Sequence, residues 1–252
     1  MLVTIWVTEH PYSQRVGMSL KMGFKDDGLI ATPLDISEEK INATDVHIGY
    51  GILRGMGDVY RHVEKVGKHW FNIDLGYFDP GHFDGQYRIA YKNTQSLFDA
   101  KIQSDKCPEI SPWKNGGSVA LICPPTKHTA AFFNLEDASW ITHAENHAKQ
   151  LGLIPIIRRK DATEKLDDAF ATAGAVITFN SSVAWKALQL GIPAFSDTRH
   201  STVGSWHGMC NSIDALKKLN RESLFRFMYA NQLSLVDIQQ GKLLPILKRT
   251  LG

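Results

Sequence analysis

Disulfides, membrane spans and the common metal motifs are missing from this chain. Its three cysteines, Cys107, Cys123 and Cys210, are odd in number and widely spaced, with no C-x-x-C pair. That argues against a disulfide framework or a zinc knuckle, and reduced thiols are expected. No apolar run reaches about eighteen residues, and the apolar start at residues 2–8 leads straight into Glu9, His10 and Pro11 instead of a cleavage site. A cytoplasmic protein without membrane insertion is therefore expected. Excess charge of one sign is also absent, since the formal net charge is +2, too small to demand a polyanionic partner. Neither H-E-x-x-H nor G-x-S-x-G occurs, so a zincin or a hydrolase built on a nucleophile elbow is not expected.

What the chain does have is a repeated order of apolar strand, loop and helix. With 252 residues and 43% hydrophobic content it can bury one large core or two small ones. Residues 2–8 alternate in bulk as a first strand, and Ser13 opens a helix running to Met22. Residues 45–50 form a short strand that empties into Gly49, Gly51, Gly55 and Gly57, read equally as a close backbone approach to a ligand or as a plain turn. In residues 70–77, Phe71, Ile73 and Leu75 alternate with Asp74 on the opposite face. A loop rich in Gly, Pro and Asp then brings His82, Asp84, Tyr87 and Arg88 near that strand end, before a strand at 87–91.

Pro108, Pro112 and the pair Gly116-Gly117 mark residues 107–117 as a linker. A second sheet starts at 118–123, followed by a loop at 124–128, a helix at 136–151 and a strand at 153–161. Residues 212–219 and 224–230 read as helices, and 233–251 as a helical region broken by Gly241 and Pro245. The expected domains are 1–110, 111–225 and a C-terminal helical region, 226–252, packing across both.

Residues 175–197, AVITFNSSVAWKALQLGIPAFSD, are the most informative stretch. An apolar strand runs into Asn180, Ser181 and Ser182, then a helix, then a second strand. Asn180 or Ser181 can cap the helix, leaving backbone N–H groups and the positive dipole end facing a ligand such as a diphosphate. Gly191 and Pro193 end the helix by left-handed capping and ring geometry. An ordinary strand–helix–strand crossover with no ligand has the same pattern. Upstream, LIPIIRRKD delivers Arg158, Arg159 and Lys160 at a strand's carboxyl end, where ligands gather in parallel sheets.

The strand ending in basic residues, followed by S-x-x-x-x-x-A-L-x-x-G-x-P over Ser182, Ala187, Leu188, Gly191 and Pro193, resembles the donor half of GT-B glycosyltransferases. It is also similar to the capsule-polysaccharide transferases and small bacteriophage transferases. The resemblance implies an α/β fold of two Rossmann-like domains with mainly parallel sheets and a cleft between them. It implies a nucleotide sugar as donor, a UDP-sugar being the first expectation, and no separate cofactor. Arg158, Arg159 and Lys160 would neutralise the diphosphate. Asn180, Ser181 and Ser182 would donate hydrogen bonds, and Thr126 and Lys127 would approach from the neighbouring loop. Strand alternation puts Arg159 opposite Arg158 and Lys160, so at least one of the three is solvated.

Inversion needs a carboxylate to take the acceptor proton. Asp74, in a D-L-G-Y-F stretch resembling the D-G-F-type motif of capsule enzymes, is the first candidate and Asp84 the second; an Asx turn explains either as well. No D-x-D pair is present, so metal independence is expected. His143 and His147 stand one helical turn apart but without an evident third ligand, and an exposed helix face is the expected role. Trp206 and His207 are read equally as a base-stacking wall and as core.

The segment from Arg54 places Arg54, Arg61, Lys65 and Lys68 near one helical face, with Val59, Val63 and Val66 opposite. It is read as a solvated amphipathic face or, with Arg88, as an acceptor-binding surface that tracks phosphates. The reading is an inverting glycosyltransferase whose acceptor is a hydroxymethylated pyrimidine in double-stranded phage DNA. The alternatives are a transferase of surface polysaccharide, a sugar-nucleotide epimerase and a non-catalytic sugar-nucleotide binding module.

Overall fold

The protein is represented by a computed structural model that describes residues 1–81 and 84–252. His82, read above with the loop beyond the 70–77 strand, lies outside the described residues. The chain divides into two compact units, Met1–Ser96 with Met228–Gly252, and Leu97–Phe227. The sequence put its divisions at 110/111 and 225/226, whereas residues 97–110 group with the second unit and residues 228–252 with the first.

The first unit opens with β1 (Val3–Trp6), α1 (Pro11–Phe24), β2 (Gly28–Ala31), α2 (Glu38–Asn42) and β3 (Val46–Tyr50). It continues with α3 (Met56–Lys65), β4 (His69–Leu75) and β5 (Gln86–Tyr91). Pro11 stands at the start of α1, where its preset φ suits the first turn and its missing N–H costs nothing. Val16, Leu20 and Phe24 recur every four residues and bury the inner face of that helix. All four residues of β1 are buried, because the strand lies between β2 and β3. Alternation is expressed only where one face meets solvent. On α3, Met56, Val59, Tyr60 and Val63 form the buried stripe, while Val66 follows the helix and is exposed.

The glycines in and after β3 serve packing and turns. A Cβ on Gly49 would meet Met56 Cε at 2.0 Å, so the bare backbone is what lets α3 lie close against β3. Neither β2 nor α2 has a signature in the sequence, since both are short and carry no extended period.

The second unit contains β6 (Val119–Cys123), α4 (Lys127–Phe132), α5 (Asp137–Gln150), β7 (Ile154–Ile157), α6 (Leu166–Thr172) and β8 (Ala173–Thr178). After these come α7 (Val183–Gln189), β9 (Ala194–Ser196), α8 (Thr202–His207), α9 (Ile213–Lys217) and α10 (Arg221–Ala230), which crosses the unit boundary. The described strands form a parallel sheet in the order β7-β6-β8-β9. Every residue of β8 is buried. The edge strand β7 leaves Ile154 and Ile156 exposed. On that strand Ile154 and Arg158 turn their N–H groups toward Ser118 and Ile122. The intervening Pro155 therefore removes a donor that would otherwise face outward.

Residues 107–117, expected as a linker, are strapped to the second unit instead. Ser111 N–H donates to Gln189 O at 2.9 Å and Lys114 N–H to Gly191 O at 2.8 Å. The Arg221 guanidinium stacks on the Trp113 ring at 3.7 Å and donates to Ser111 O at 3.0 Å. Proline and glycine content marks the absence of regular structure, but strapping depends on partners distant in sequence.

The C-terminal segment returns to the first unit as β10 (Gln232–Ser234), α11 (Leu235–Gln239) and α12 (Leu243–Leu251). The described strands of that unit form the order β10-β5-β4-β3-β1-β2. Strands β2, β1, β3 and β4 are parallel, with β5 and β10 added antiparallel. Where the sequence showed only helix at 233–251, a three-residue strand precedes it. Gly241, at φ 79°, does break the helix, but Pro245 lies in the first turn of α12, where proline is tolerated. Both units are thus α/β with sheets rich in parallel strands.

Candidate functional site

In the second unit the chain leaves β6 for β7 on one side and then returns to β8 on the other. The loops after β6 and β8 diverge, leaving the crevice beyond their carboxyl ends that binds ligands in open parallel sheets. The loop after β6 brings Thr126 and Lys127 to this edge, and the loop after β8 brings Asn180, Ser181 and Ser182. Thr178 Oγ1 donates to Cys123 O at 2.7 Å and ties the two strand ends together. Thr126 Oγ1 caps α4 by accepting from Thr129 N–H. Ser181 Oγ accepts from Val183 N–H at 3.3 Å, while the side chain of Ser182, in the N-cap position, makes no cap bond. Of the expected caps Asn180 and Ser181, it is Ser181 that bonds the first residue of α7, and Ser182 is exposed.

The three basic residues after β7 separate. Arg158 donates its backbone N–H to Ile122 O at 2.8 Å and Nη2 to Glu164 O at 2.7 Å, and its buried Nε has no partner among the described residues. Its guanidinium is close enough to act on Cys123, whose thiol burial pushes up to about 11 against the pull of that charge. Arg159 turns away to pair with Asp137 at 2.8 Å, and Lys160 is exposed. Only Arg158 is drawn to the carboxyl end of β6.

Three rings meet over the ends of β8 and β9. Phe179, the first residue after β8, is 1% exposed. Phe133 lies 5.2 Å from it and His200 5.6 Å, and the Phe133 and His200 centroids are 4.5 Å apart. Phe133 and His200 are half-buried. Asp197 Oδ1 holds the loop by accepting from the N–H groups of Arg199 and His200 at 3.0 and 2.9 Å. Trp206 and His207 belong to the core instead. Trp206 Nε1 donates to Asn220 O at 3.2 Å, and His207 Nε2 accepts from Ser196 N–H at 3.0 Å. Burial pushes the His207 imidazole below its ordinary pKa.

In the first unit the corresponding switch falls between β1 and β3. The turn after β1 is held by Thr8 N–H donating to Ser13 Oγ at 2.9 Å and His10 N–H to Thr8 Oγ1 at 3.3 Å. An open hollow of about 540 Å³ lies over the ends of β1 and β2, with Val7, Ile30 and Leu34 on its apolar side and Thr8, Glu9 and Gln14 among its polar groups. Glu9 is exposed and its carboxylate has no hydrogen-bond or ion-pair partner among the described residues. Tyr50, at the end of β3, has its hydroxyl pKa raised first by burial and then by the charge of Asp74.

Asp74, the expected base, is engaged. Its Oδ2 accepts from Arg88 Nη2 at 2.7 Å and its Oδ1 from Leu75 N–H at 2.8 Å. Arg88 donates in addition to Leu75 O at 2.6 Å and Thr94 O at 3.0 Å, which occupies the guanidinium inside the unit. Asp84 is exposed in the loop before β5.

The expected acceptor-binding cations do not assemble. Lys68 points inward, donating to Ile41 O at 3.0 Å and Thr44 O at 2.7 Å, at the opposite end of β4 from Asp74. Arg54 lies outside α3 in a left-handed turn, φ 55°. Arg61 pairs with Asp58 at 2.8 Å, and Lys65 is exposed at the helix end. The run of offsets assumed one continuous helix from Arg54 to Lys68, whereas α3 holds only Met56–Lys65.

His147 also departs from expectation. It packs edge-on against Phe195 at 4.9 Å, and burial, then the charge of His143, lower its pKa. His143 is exposed. Among the described residues no cluster of three or more His, Cys, Asp or Glu could hold a metal, and no helix is long and apolar enough to cross a membrane. Sequence reasoning missed Glu9, Phe133 and His200. Glu9 had a signal, since it directly follows the first strand's carboxyl end; the ring pair had none, its members being 67 positions apart (200 − 133).

No protein-family model and no curated protein matches the chain. Among solved structures, Thermosulfurimonas dismutans KpsC, beta Kdo 2,7 transferase, superposes with a TM-score of 0.51 at 10% identity, over 97% of this chain and 100% of that one. Thermosulfurimonas dismutans KpsC, beta Kdo 2,4 transferase, gives a TM-score of 0.45 at 8% identity, over 95% and 97%. The first likeness is one of fold, and the second is too distant to add to it.

Proposed function

We propose that the protein is a nucleotide-sugar-dependent glycosyltransferase that holds its donor at the carboxyl edge of the second unit. The observation that carries this reading is Arg158, drawn to the end of β6 with a buried Nε unpartnered among the described residues. It stands beside a strand-order switch furnished with the hydroxyls of Thr126, Ser181 and Ser182. The overall fold, like that of a protein named a beta Kdo 2,7 transferase, supports the same reading.

In the proposed reaction the acceptor oxygen forms a bond to the anomeric carbon as the bond from that carbon to the donor phosphate breaks. The leaving phosphate takes the electron pair, and Arg158, Lys127 and the loop hydroxyls stabilise its charge. These cations supply the compensation without a metal. The acceptor proton passes to a carboxylate. Within the first unit, Glu9 is the candidate for acceptor handling, since its exposed carboxylate borders that unit's hollow. Asp74 becomes a positioning residue through its pair with Arg88. A single displacement of this kind inverts the anomeric centre.

A saccharide hydroxyl is the acceptor this reading favours. The hollow by Glu9 combines an apolar side with polar groups, whereas a DNA duplex calls for several free cations along its phosphates, and Lys68 and Arg88 are committed internally.

Mass spectrometry after incubation with nucleotide sugars, including an activated form of Kdo, tests the proposal. The acceptors are oligosaccharides and hydroxymethylcytosine-containing duplex DNA. Added sugar mass on an oligosaccharide is expected, with Glu9→Gln reducing turnover about 100-fold or more at unchanged donor affinity. Transfer to DNA would replace the acceptor assignment. Donor binding without transfer would favour an epimerase or a binding module, and absence of donor binding would remove the transferase reading.

A further inference from the structure

The ring pair Phe133 and His200 has no role in the chemistry above, yet it borders the same crevice. Phe179 forms the floor beneath both rings and is followed directly by Asn180, Ser181 and Ser182. Successive Cα atoms are about 3.8 Å apart, so the aromatic floor and the hydroxyl loop are separated by little more than the span of one ribose. Phosphate-binding and planar apolar chemistry side by side match a nucleotide, which joins a charged phosphate to a flat ring through a sugar.

The His200 backbone is anchored by Asp197, while its imidazole nitrogens have no hydrogen-bond partner among the described residues. The half-buried ring is thus fixed in position and retains both polar atoms for a ligand. Burial, outweighing the nearby Asp197 charge, lowers its pKa, a direction that favours the neutral ring suited to stacking on another aromatic system.

We propose that Phe133 and His200 form the wall against which the nucleobase of the donor stacks, His200 supplying in addition a hydrogen bond to a base edge. The proposal rests on the nucleotide-sugar reading and deepens it. It places base recognition on Phe133, just after α4, and His200, in the loop after β9, instead of on Trp206 and His207.

The test is titration calorimetry of the full chain with nucleoside 5′-mono- and diphosphates and, as a control lacking the base, ribose 5-phosphate. Replacing His200 by Ala is expected to weaken nucleotide binding about tenfold or more while ribose 5-phosphate binds within about twofold of wild type. His200→Tyr keeps a stacking face and is expected to recover most of the loss. Phe133→Leu conserves bulk without the π-face and should reproduce the Ala effect. Proton NMR should show the base protons shifted upfield by wild type and less so by His200→Ala. Circular dichroism identifies any variant that has not folded, in which case the remaining variants decide.

Unchanged nucleotide affinity in the folded variants, or equal weakening of nucleotide and ribose 5-phosphate, would overturn the wall and leave the transferase reading standing. Failure of the wild type to bind any nucleotide would overturn both.

Discussion

Asp74 and Arg88 face each other directly across the antiparallel pair β4 and β5, and their side chains meet at 2.7 Å. Arg88 keeps 14% of its side-chain surface exposed and Asp74 32%, so the pair is shielded more than a typical surface ion pair. With two backbone carbonyls also bound to the guanidinium, it clamps the end of β4 to the segment after β5. Asp74→Asn and Arg88→Gln are each expected to destabilise the protein by about 1–3 kcal/mol. A double-mutant cycle in urea should give a coupling of at least about 0.5 kcal/mol. Strict additivity would mean the clamp contributes nothing. Asp74→Asn should also leave the pH dependence of turnover unaltered, which a general base would not.

Arg158 and Arg159 are sequence neighbours with opposite roles. Arg158→Ala is expected to weaken binding of a nucleoside diphosphate about tenfold or more, because a charge-assisted bond to phosphate is lost. Arg159→Ala removes an exposed pair with Asp137, worth less than about 1 kcal/mol, and should leave nucleotide affinity unchanged. Isothermal titration of both variants decides, and equal effects would contradict the orientation of these side chains.

Stability should fall with acid through His47. The residue is 0% exposed on β3, accepts from Trp6 Nε1 at 3.1 Å, and its Nε2 has no partner among the described residues. Burial first, and the Lys68 charge second, lower its pKa from 6.5 to about 4. Above pH 6.5 the folded and unfolded forms are both neutral at this position. Between 6.5 and about 4 the unfolded chain binds the extra proton, so stability declines as pH falls, by about 1.4 kcal/mol per unit and about 3 kcal/mol in all. Below about 4 this contribution is flat. His147, His200 and His207, whose pKa values are also lowered, act in the same direction. Urea denaturation across this range should give a shallower slope for His47→Asn, which keeps an acceptor for Trp6; an identical slope would rule out His47 as a source.

Gly191 ends α7 with φ 77°, and a Cβ there would meet Pro112 O at 1.9 Å. Gly191→Ala meets two penalties, the left-handed backbone and the approaching strap, and should cost more than about 1 kcal/mol. Chemical denaturation measures the cost. Digestion near residues 107–117 should accelerate, since the strap bonds to Gln189 and Gly191; a cost of only about 1 kcal/mol, that of the left-handed backbone alone, with unchanged digestion would show that the strap moves aside freely.

The readable parts of the fold were those set by local pattern. The pattern of residues 136–151 predicts a helix, and α5 spans Asp137–Gln150. The crossover at 175–197 became β8, α7 and β9. Gly191 ended its helix by the expected left-handed cap because only the backbone conformation of one residue was at issue. Less readable were β2 and β10, three or four residues each, whose existence depends on pairing with β1 and β5. Among candidate site residues, strand-end position is legible, as is the alternation that turns Arg159 away from Arg158, while the partners each side chain finds are not. Arg158 and Arg159 differ by which neighbour each can reach, and Lys68 turned inward because the carbonyls of Ile41 and Thr44 await it.

The α/β class, most of the strands and longer helices, and the edge at which polar loops collect are all legible in local pattern, because periodicity, capping and turn chemistry act over a few residues. Tertiary structure alone decided that residues 228–252 complete the first unit, that Asp74 is clamped while Glu9 remains open, and that Phe133 meets His200. Those outcomes depend on strand order and on contacts between residues dozens to hundreds of positions apart, where no local propensity distinguishes one partner from another.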